Sequence, residues 1–480
     1  MRVWSKVRFE CGRVGRARLS SVWLVCGAIA SGVEASEWPL PPPEIEAIVA
    51  EAFARNPGLL ATETELARAE ARLRAASSAF QPRIDVLARF TLADGGRTID
   101  IPTGDLLNPV YETLDRLTGA STFPRIGNVS ESLLREREQQ TSLRLVQPLY
   151  RPEIGHGRRA AREEKRATES RVAVYRRDLR LQIQEAIHGY AQASVAVDIQ
   201  TAALGLVAES LRVNESLRAE GRATADAVTR ARAEVAGVEE QLAGAHRDAL
   251  LARARLNVLL ARPLDTPAPV LPRAALERTE TALLSVDPTA LAVTTAAREE
   301  LAALRAAVSA AEAVVEAADA RRRPTVALAV EAGIQGENYR FGGDQDFATA
   351  SVVAEWNLFD GRERRAAVAE AKSRARAAEW RLDEARRLLD LELRSALEDF
   401  HVARFAWRAA HDRAEAARSG WALVEARQRE GTVAQLVVLD ARTLLTSAEL
   451  GLELSRNRLF IAAARVERAA ALVPLPDPRP

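Results

Sequence analysis

Apolar positions along the chain follow two periods, and each period occurs twice. Leu179, Ile183, Ala186, Tyr190 and Ala193 are spaced four, three, four and three, the stripe of a helix that buries one face. Leu389, Leu393, Ala396, Phe400 and Ala403 repeat it at a constant offset of 210. Elsewhere the period is two: Ile84, Val86, Ala88, Phe90 and Leu92 alternate with polar residues, as do Val326, Leu328, Val330, Ala332 and Ile334. "SLRLVQPLY" (142–150) resembles "SVVAEWNLF" (351–359), and "EGRATADAVTRAR" (220–232) lies over "EGTVAQLVVLDAR" (430–442), which aligns Gly221 with Gly431. Residues 69–86 resemble 311–328 at an offset of 242. One unit is therefore written twice.

Each unit reads helix, strand, strand, long helix, turn, helix. The first helices are expected over about 44–80 and 289–322, ending before Pro82 and Pro324, because proline disfavours helical geometry in the residue before it. Strands are expected over about 83–93, 141–150, 325–335 and 347–359. Helical hairpins follow over about 153–262 and 361–472, with tips near 221 and 431. The first repeat thus spans 36–262 and the second 289–473. Between them, 263–288 holds five prolines and reads as a linker with little regular structure, and 474–480 is a tail.

Lengths turn the pattern into a shape. A helix from 361 to 430 would be about 100 Å long, and two shorter helices stacked end to end would match it. The result is a slender two-layer array with strands at one end and glycine turns at the other. Strands of about ten residues are long enough to cross a bilayer when tilted, whereas no segment after residue 35 is a continuous apolar run of membrane-helix length. Four strands cannot close a barrel, so a membrane reading requires oligomerisation. A soluble half-buried sheet gives the same alternation.

Composition supports long helices: 28 % of residues are charged, only 5 % are aromatic, and alanine, arginine, leucine and glutamate dominate. A net charge of +1, with both signs interspersed, gives no electrostatic argument for nucleic acid. At the N-terminus, basic residues from Arg2 to Arg18 precede the apolar "SSVWLVCGAIASGV" and the small-residue "VEAS", the order of a secretory signal peptide cleaved after Ala35, that is, over 1–35. Both cysteines, Cys11 and Cys26, lie inside it, which removes disulfides and thiolate chemistry from the processed chain.

Catalytic patterns are missing. His156, His188, His246, His401 and His411 have no metal-ligand spacing, and no nucleophile elbow, P-loop or dinucleotide motif occurs. Neither an enzyme nor a cofactor is expected. Gly221 is the one glycine of its helical run that meets a glycine at the 210 offset, so it reads as a helix-ending turn in left-handed geometry, with Thr224 or Asp226 capping the next helix.

The order of elements, the proline-gated strands, the leucine–aromatic ends of the second strands and the glycine followed by "DAR" resemble the TolC-like outer-membrane efflux proteins, over about 44–473. The resemblance implies a mainly α fold with membrane β: a homotrimer in outer-membrane lipid, with a 12-stranded barrel and 12 helices forming a periplasmic tunnel. It implies passive outward conduction in a tripartite system, docked to a periplasmic adaptor and an inner-membrane pump of the resistance-nodulation-division or ABC type. A type I protein secretion duct of the same fold, and a periplasmic coiled-coil scaffold, remain as alternatives. The resemblance also assigns Gly221, Arg222, Thr224, Gly431 and Thr432 to the tip turns and adaptor docking, and Asp226, Arg230 and Asp440 to a pore constriction. In the family, the turn is followed by acids in a D-V-L-D-A pattern; here Asp440 matches the later acid, Val437 stands at the earlier one, and Ala227 fills the position next to Asp226. The implied acidic ring is reduced. Read without the family, Asp440 near a helix N-terminus simply favours the helix dipole.

Overall fold

Proline placement cuts the first expected helix in two: α1 covers Pro43–Arg55 and α2 covers Pro57–Ser78. Asn56, between them, is extended with ψ 119°, as a residue before proline should be, and Pro57 takes the first helical position, where no amide hydrogen is needed. The Asn56 carboxamide caps α2 by accepting from the Leu59 amide at 3.1 Å. The computed structural model describes residues 38–39, 41–269, 271–287, 293–340, 345–430 and 432–475. The expected signal peptide, Gly431 and the tail beyond 475 lie outside the described residues.

After α2 the chain forms β1 (Arg83–Leu92), an insert, and β4 (Arg137–Tyr150), then the long helix α4 (Pro152–Ala219) and its return α5 (Ala225–Leu259). The insert is β2 (Thr98–Ile101), α3 (Thr103–Thr118) and β3 (Val129–Ser132), so the long segment 95–140 is a small folded unit. Its helix is held by the returning chain: Asn128 Oδ1 accepts from the Gly104 and Asp105 amides at 3.0 and 3.1 Å, and Asn108 exchanges two hydrogen bonds with the Ile126 backbone.

The 263–288 segment contains a helix, α6 (Arg273–Ser285), contrary to the linker expectation. Pro272 precedes its first turn, and Ala275 and Leu283 inside it are buried. The second repeat then gives α7 (Glu299–Ala320), β5 (Thr325–Gly336), β6 (Asp346–Glu355), α8 (Glu363–Arg429) and α9 (Gln435–Ala470). α7 starts about ten residues later than its sequence pattern, because 293–298 form a turn that points Arg298 inward. β6 stops at Glu355, which leaves Leu358 and Phe359 outside the strand.

At 68 and 67 residues, α4 and α8 are each about 100 Å long. α4 packs on α2 and α5, and on α7 and α9, while α8 packs on α7 and α9. The short helices are joined end to end by the same device twice. Asn56 Nδ2 donates to the Leu259 carbonyl at the end of α5 at 3.0 Å, and Arg298 Nη1 donates to the Ala469 carbonyl at the end of α9 at 2.9 Å. Asn56 and Arg298 stand at the 242 offset, and Leu259 and Ala469 at the 210 offset, so the repeats conserve the joint and differ in its donor. Apolar clusters surround both joints: Ile45, Phe53, Leu59 and Ile183 at the first, Trp38, Leu393, Phe400 and Val466 at the second. Each such large side chain contributes about 1.5–3 kcal/mol on burial.

His188 of α4 is fully buried against Phe460 of α9, with ring centroids 4.6 Å apart, and burial pushes its pKa down from 6.5 to about 4. The folded pKa lies below the unfolded one, so this group's contribution is complete above about pH 6.5 and is lost as pH falls towards 4. The loss is expected to reach roughly 3 kcal/mol, and His188→Phe should flatten it; denaturant melts between pH 7 and 4 check this.

Candidate functional site

The four principal strands form one antiparallel sheet in the order β1-β4-β5-β6, which leaves β1 and β6 as edges. Register divides its faces. Ile84, Leu145, Val330 and Ala350 make one cross-strand row and Val86, Leu143, Ala332 and Ala348 the next on that face, with Ile84 and Val86 59 % and 73 % exposed. The opposite face carries Asp85, Arg144, Glu331 and Thr349 in one row, and Ser142 Oγ donates to Glu331 Oε1 at 2.6 Å. In these rows one face is apolar, bare on β1 and half-buried at Leu145 and Val330, and the other is polar and hydrogen-bonded. One 18-residue window within α4 is also apolar enough to cross a membrane by composition, but it lies inside a helix packed on five others.

At the far end, the first hairpin turns where expected. Gly221 has φ +72°, its amide donates to the Arg218 carbonyl at 2.9 Å, and the Arg222 amide donates to the Leu217 carbonyl at 2.8 Å. These are the two bonds of a Schellman ending, which needs the left-handed residue that glycine supplies without strain. Thr224, not Asp226, is the cap: its hydroxyl accepts from the Ala227 amide at 3.4 Å. Asp226 instead pairs with Arg230 one turn on, at 2.9 Å, and Arg222 lies 3.7 Å from Glu220. All four are exposed, and these contacts stay within one hairpin.

The second tip keeps one hydrogen bond of the first and loses its cap. The Thr432 amide donates to the Arg427 carbonyl at 3.0 Å, the counterpart of Arg222 to Leu217, but Ala434 stands where Thr224 stood and offers no side-chain acceptor. Asp440 is exposed on the first turns of α9 and has no ion-pair partner among the described residues. At the 210 offset Asp440 faces Arg230, so the repeats place opposite charges at equivalent positions.

Arg442 is the residue that sequence reasoning passed over. It is buried, its guanidinium lies 5.5 Å from the Trp421 ring, and its Nε and Nη1 lack hydrogen-bond partners. Burial lowers its pKa, partly offset by Glu234 of α5, and burial raises Glu234. Between these two charges lies a cavity of about 350 Å³, lined also by Val207, Gly237 and Thr446, where the two hairpins meet. The "DAR" motif contained Arg442, but only packing could reveal its burial. Among the described residues, no group of His, Cys, Asp and Glu is arranged to hold a metal.

Comparisons agree with this geometry. Residues 292–472 match the family model described as outer membrane efflux protein. No curated protein sequence matches the chain. The fold resembles three solved channels: the Campylobacter jejuni CmeC outer membrane channel, with TM-score 0.71, 14 % identity and coverage of 89 % of this chain and 86 % of that one; the Vibrio cholerae outer membrane protein VceC, with 0.69, 18 %, 89 % and 96 %; and the open state of the Neisseria gonorrhoeae MtrE outer membrane channel, with 0.70, 17 %, 89 % and 89 %.

Proposed function

We propose that the chain is an outer membrane efflux protein, as the family match over 292–472 supports, and that three copies join their β1 and β6 edges into a 12-stranded barrel, with their hairpins aligned as one periplasmic tunnel. Its function is to let substrates leave passively through the outer membrane, while an adaptor and an inner-membrane pump act at the periplasmic end. The observation that carries this is the four-stranded sheet with two free edges and one apolar face. Unpaired backbone groups are too costly in a bilayer, so the edges must meet other strands, and identical copies supply them by rotation.

The hairpin turns form the closed end. Gly221, Arg222 and Thr224, with Gly431 and Thr432, present the surface on which the adaptor docks. Asp440 supplies one unpaired carboxylate per subunit at the narrow mouth, where a ring of like charge concentrates cations. Asp226 and Arg230 neutralise each other and add little to that field. Asp440→Ala is expected to weaken block by divalent cations roughly tenfold in planar-bilayer recordings, the order of local enrichment that such a field provides. Unchanged block and conductance would remove Asp440 from the aperture.

A further inference from the structure

Where the two hairpins meet, three helices bring together polar groups that lack partners. Arg442 of α9 and Gln200 of α4 are each only 7 % exposed, and both line the cavity of about 350 Å³. Arg442 Nε and Nη1 and Gln200 Oε1 have no hydrogen-bond partner. Glu234 of α5 lines the same cavity, half-buried, and acts on Arg442 by charge alone, with no hydrogen bond or ion pair between them. The Trp421 ring, 5.5 Å from the guanidinium, attracts its charge but offers its N–H groups no lone pair. Interiors seldom leave such groups unpaired, because each then carries the full cost of losing its water.

The chemistry of the lining narrows what would pair them. Among the described residues around the cavity, Arg442 and Glu234 alone carry charge, one of each sign and on different hairpins. A simple anion would meet the Glu234 carboxylate and a simple cation the Arg442 guanidinium, so each loses at one side what it gains at the other. Thr443 and Ser447 do not compete, since their hydroxyls donate to the Leu439 and Leu444 carbonyls of their own helix. Val207 of α4, Val238 of α5 and Leu450 of α9 add an apolar wall, and the volume is that of a small-molecule pocket. We infer that this cavity binds a small zwitterion, an amino carboxylate: its carboxylate meets Arg442, its ammonium group meets Glu234 and the Gln200 carbonyl oxygen, and a short aliphatic spacer lies along the apolar wall. Such a ligand ties α5 of the first hairpin to α9 of the second, roughly two to three turns from the tips. The site lies within one protomer and does not depend on the trimer.

Isothermal titration calorimetry of the full chain, purified in detergent, tests the site with glycine, γ-aminobutyrate and ε-aminocaproate against butyrate and butylamine. At least one of the zwitterions should bind once per chain, and at least about tenfold tighter than butyrate or butylamine. Arg442→Gln and Glu234→Gln should each weaken that binding at least about tenfold, because each leaves one end of the ligand without its counter-charge. Glu234 is half-buried, so Glu234→Gln should keep the helical content seen by circular dichroism even where Arg442→Gln unfolds the hairpins. Absence of binding by every zwitterion, equally tight binding of butyrate or butylamine, or binding that Glu234→Gln leaves unchanged overturns the site. None of these readouts involves passage through the channel, so their failure leaves the duct standing.

Discussion

Arg298→Ala is expected to lower the stability of the helical body by about 3–5 kcal/mol, the cost of removing one partner from a buried ion network. The Arg298 side chain is fully enclosed at the α9–α7 joint and serves three partners. Nη1 donates to the Ala469 carbonyl at 2.9 Å, Nε and Nη2 donate to Glu300 at 2.9 and 2.6 Å, and Nη2 reaches Glu392 at 3.4 Å. Burial by itself raises the Glu300 carboxyl, but the Arg298 hydrogen bonds and the charges of Arg298 and Arg468 hold it below the ordinary carboxylate range. Alanine leaves that carboxylate to Arg468 alone and orphans a helix-terminal carbonyl. Melting followed by far-ultraviolet circular dichroism should shift down by roughly 3–5 °C. Arg298→Lys, which keeps the charge and loses the forked geometry, should fall between. A shift within 1–2 °C, about the effect of an ordinary surface substitution, would mean that the joint is not held by this residue.

Gly333→Val should be more damaging, and at the other end of the molecule. Gly333 of β5 is paired with Ser142 of β4, where the strands of the two repeats meet. A β-carbon there would lie 2.2 Å from the Thr141 carbonyl oxygen and 2.6 Å from the Ser142 Cα, both backbone atoms that cannot rotate away. Ser142 is buried and tied to Glu331, so the strand cannot retreat without breaking that bond. Overpacking of this kind costs about 1–3 kcal/mol when side chains yield, and more when backbone must. Recovery from outer membrane as folded oligomer should fall, because each 1.4 kcal/mol lost lowers the folding equilibrium constant about tenfold. Gly336→Ala is the contrast: the three atoms nearest its added carbon all belong to the Gln345 side chain, which can turn aside. Equal recovery of Gly333→Val and wild type would contradict the β4–β5 register.

Periodicity made the repeats, the strands and the first tip readable, because buried faces repeat at the period of the element that buries them. The first tip was legible down to Gly221, whose alignment with Gly431 singled out the turn among several helical glycines. Joints were not legible. Asn56 and Arg298 look like a mismatch at the 242 offset, and only coordinates show both donating to equivalent carbonyls. Pro57 escaped notice because a helix that restarts at proline leaves the alanine-rich pattern intact. α6 was masked by the prolines of its segment, and the cap at the first tip fell to Thr224 because Asp226 is claimed by Arg230. Burial of Arg442 depends on Trp421 and Glu234, which are remote in sequence and brought together only by hairpin packing.

The central claim is a hollow threefold assembly, and imaging tests it most directly. Electron cryomicroscopy of the full chain, extracted from outer membrane in detergent, should give a particle with threefold symmetry. It should contain three copies, a barrel at one end, and a helical tunnel about 100 Å long that narrows at the hairpin tips. Single-copy particles, or a solid helical bundle without an axial channel, would contradict the account.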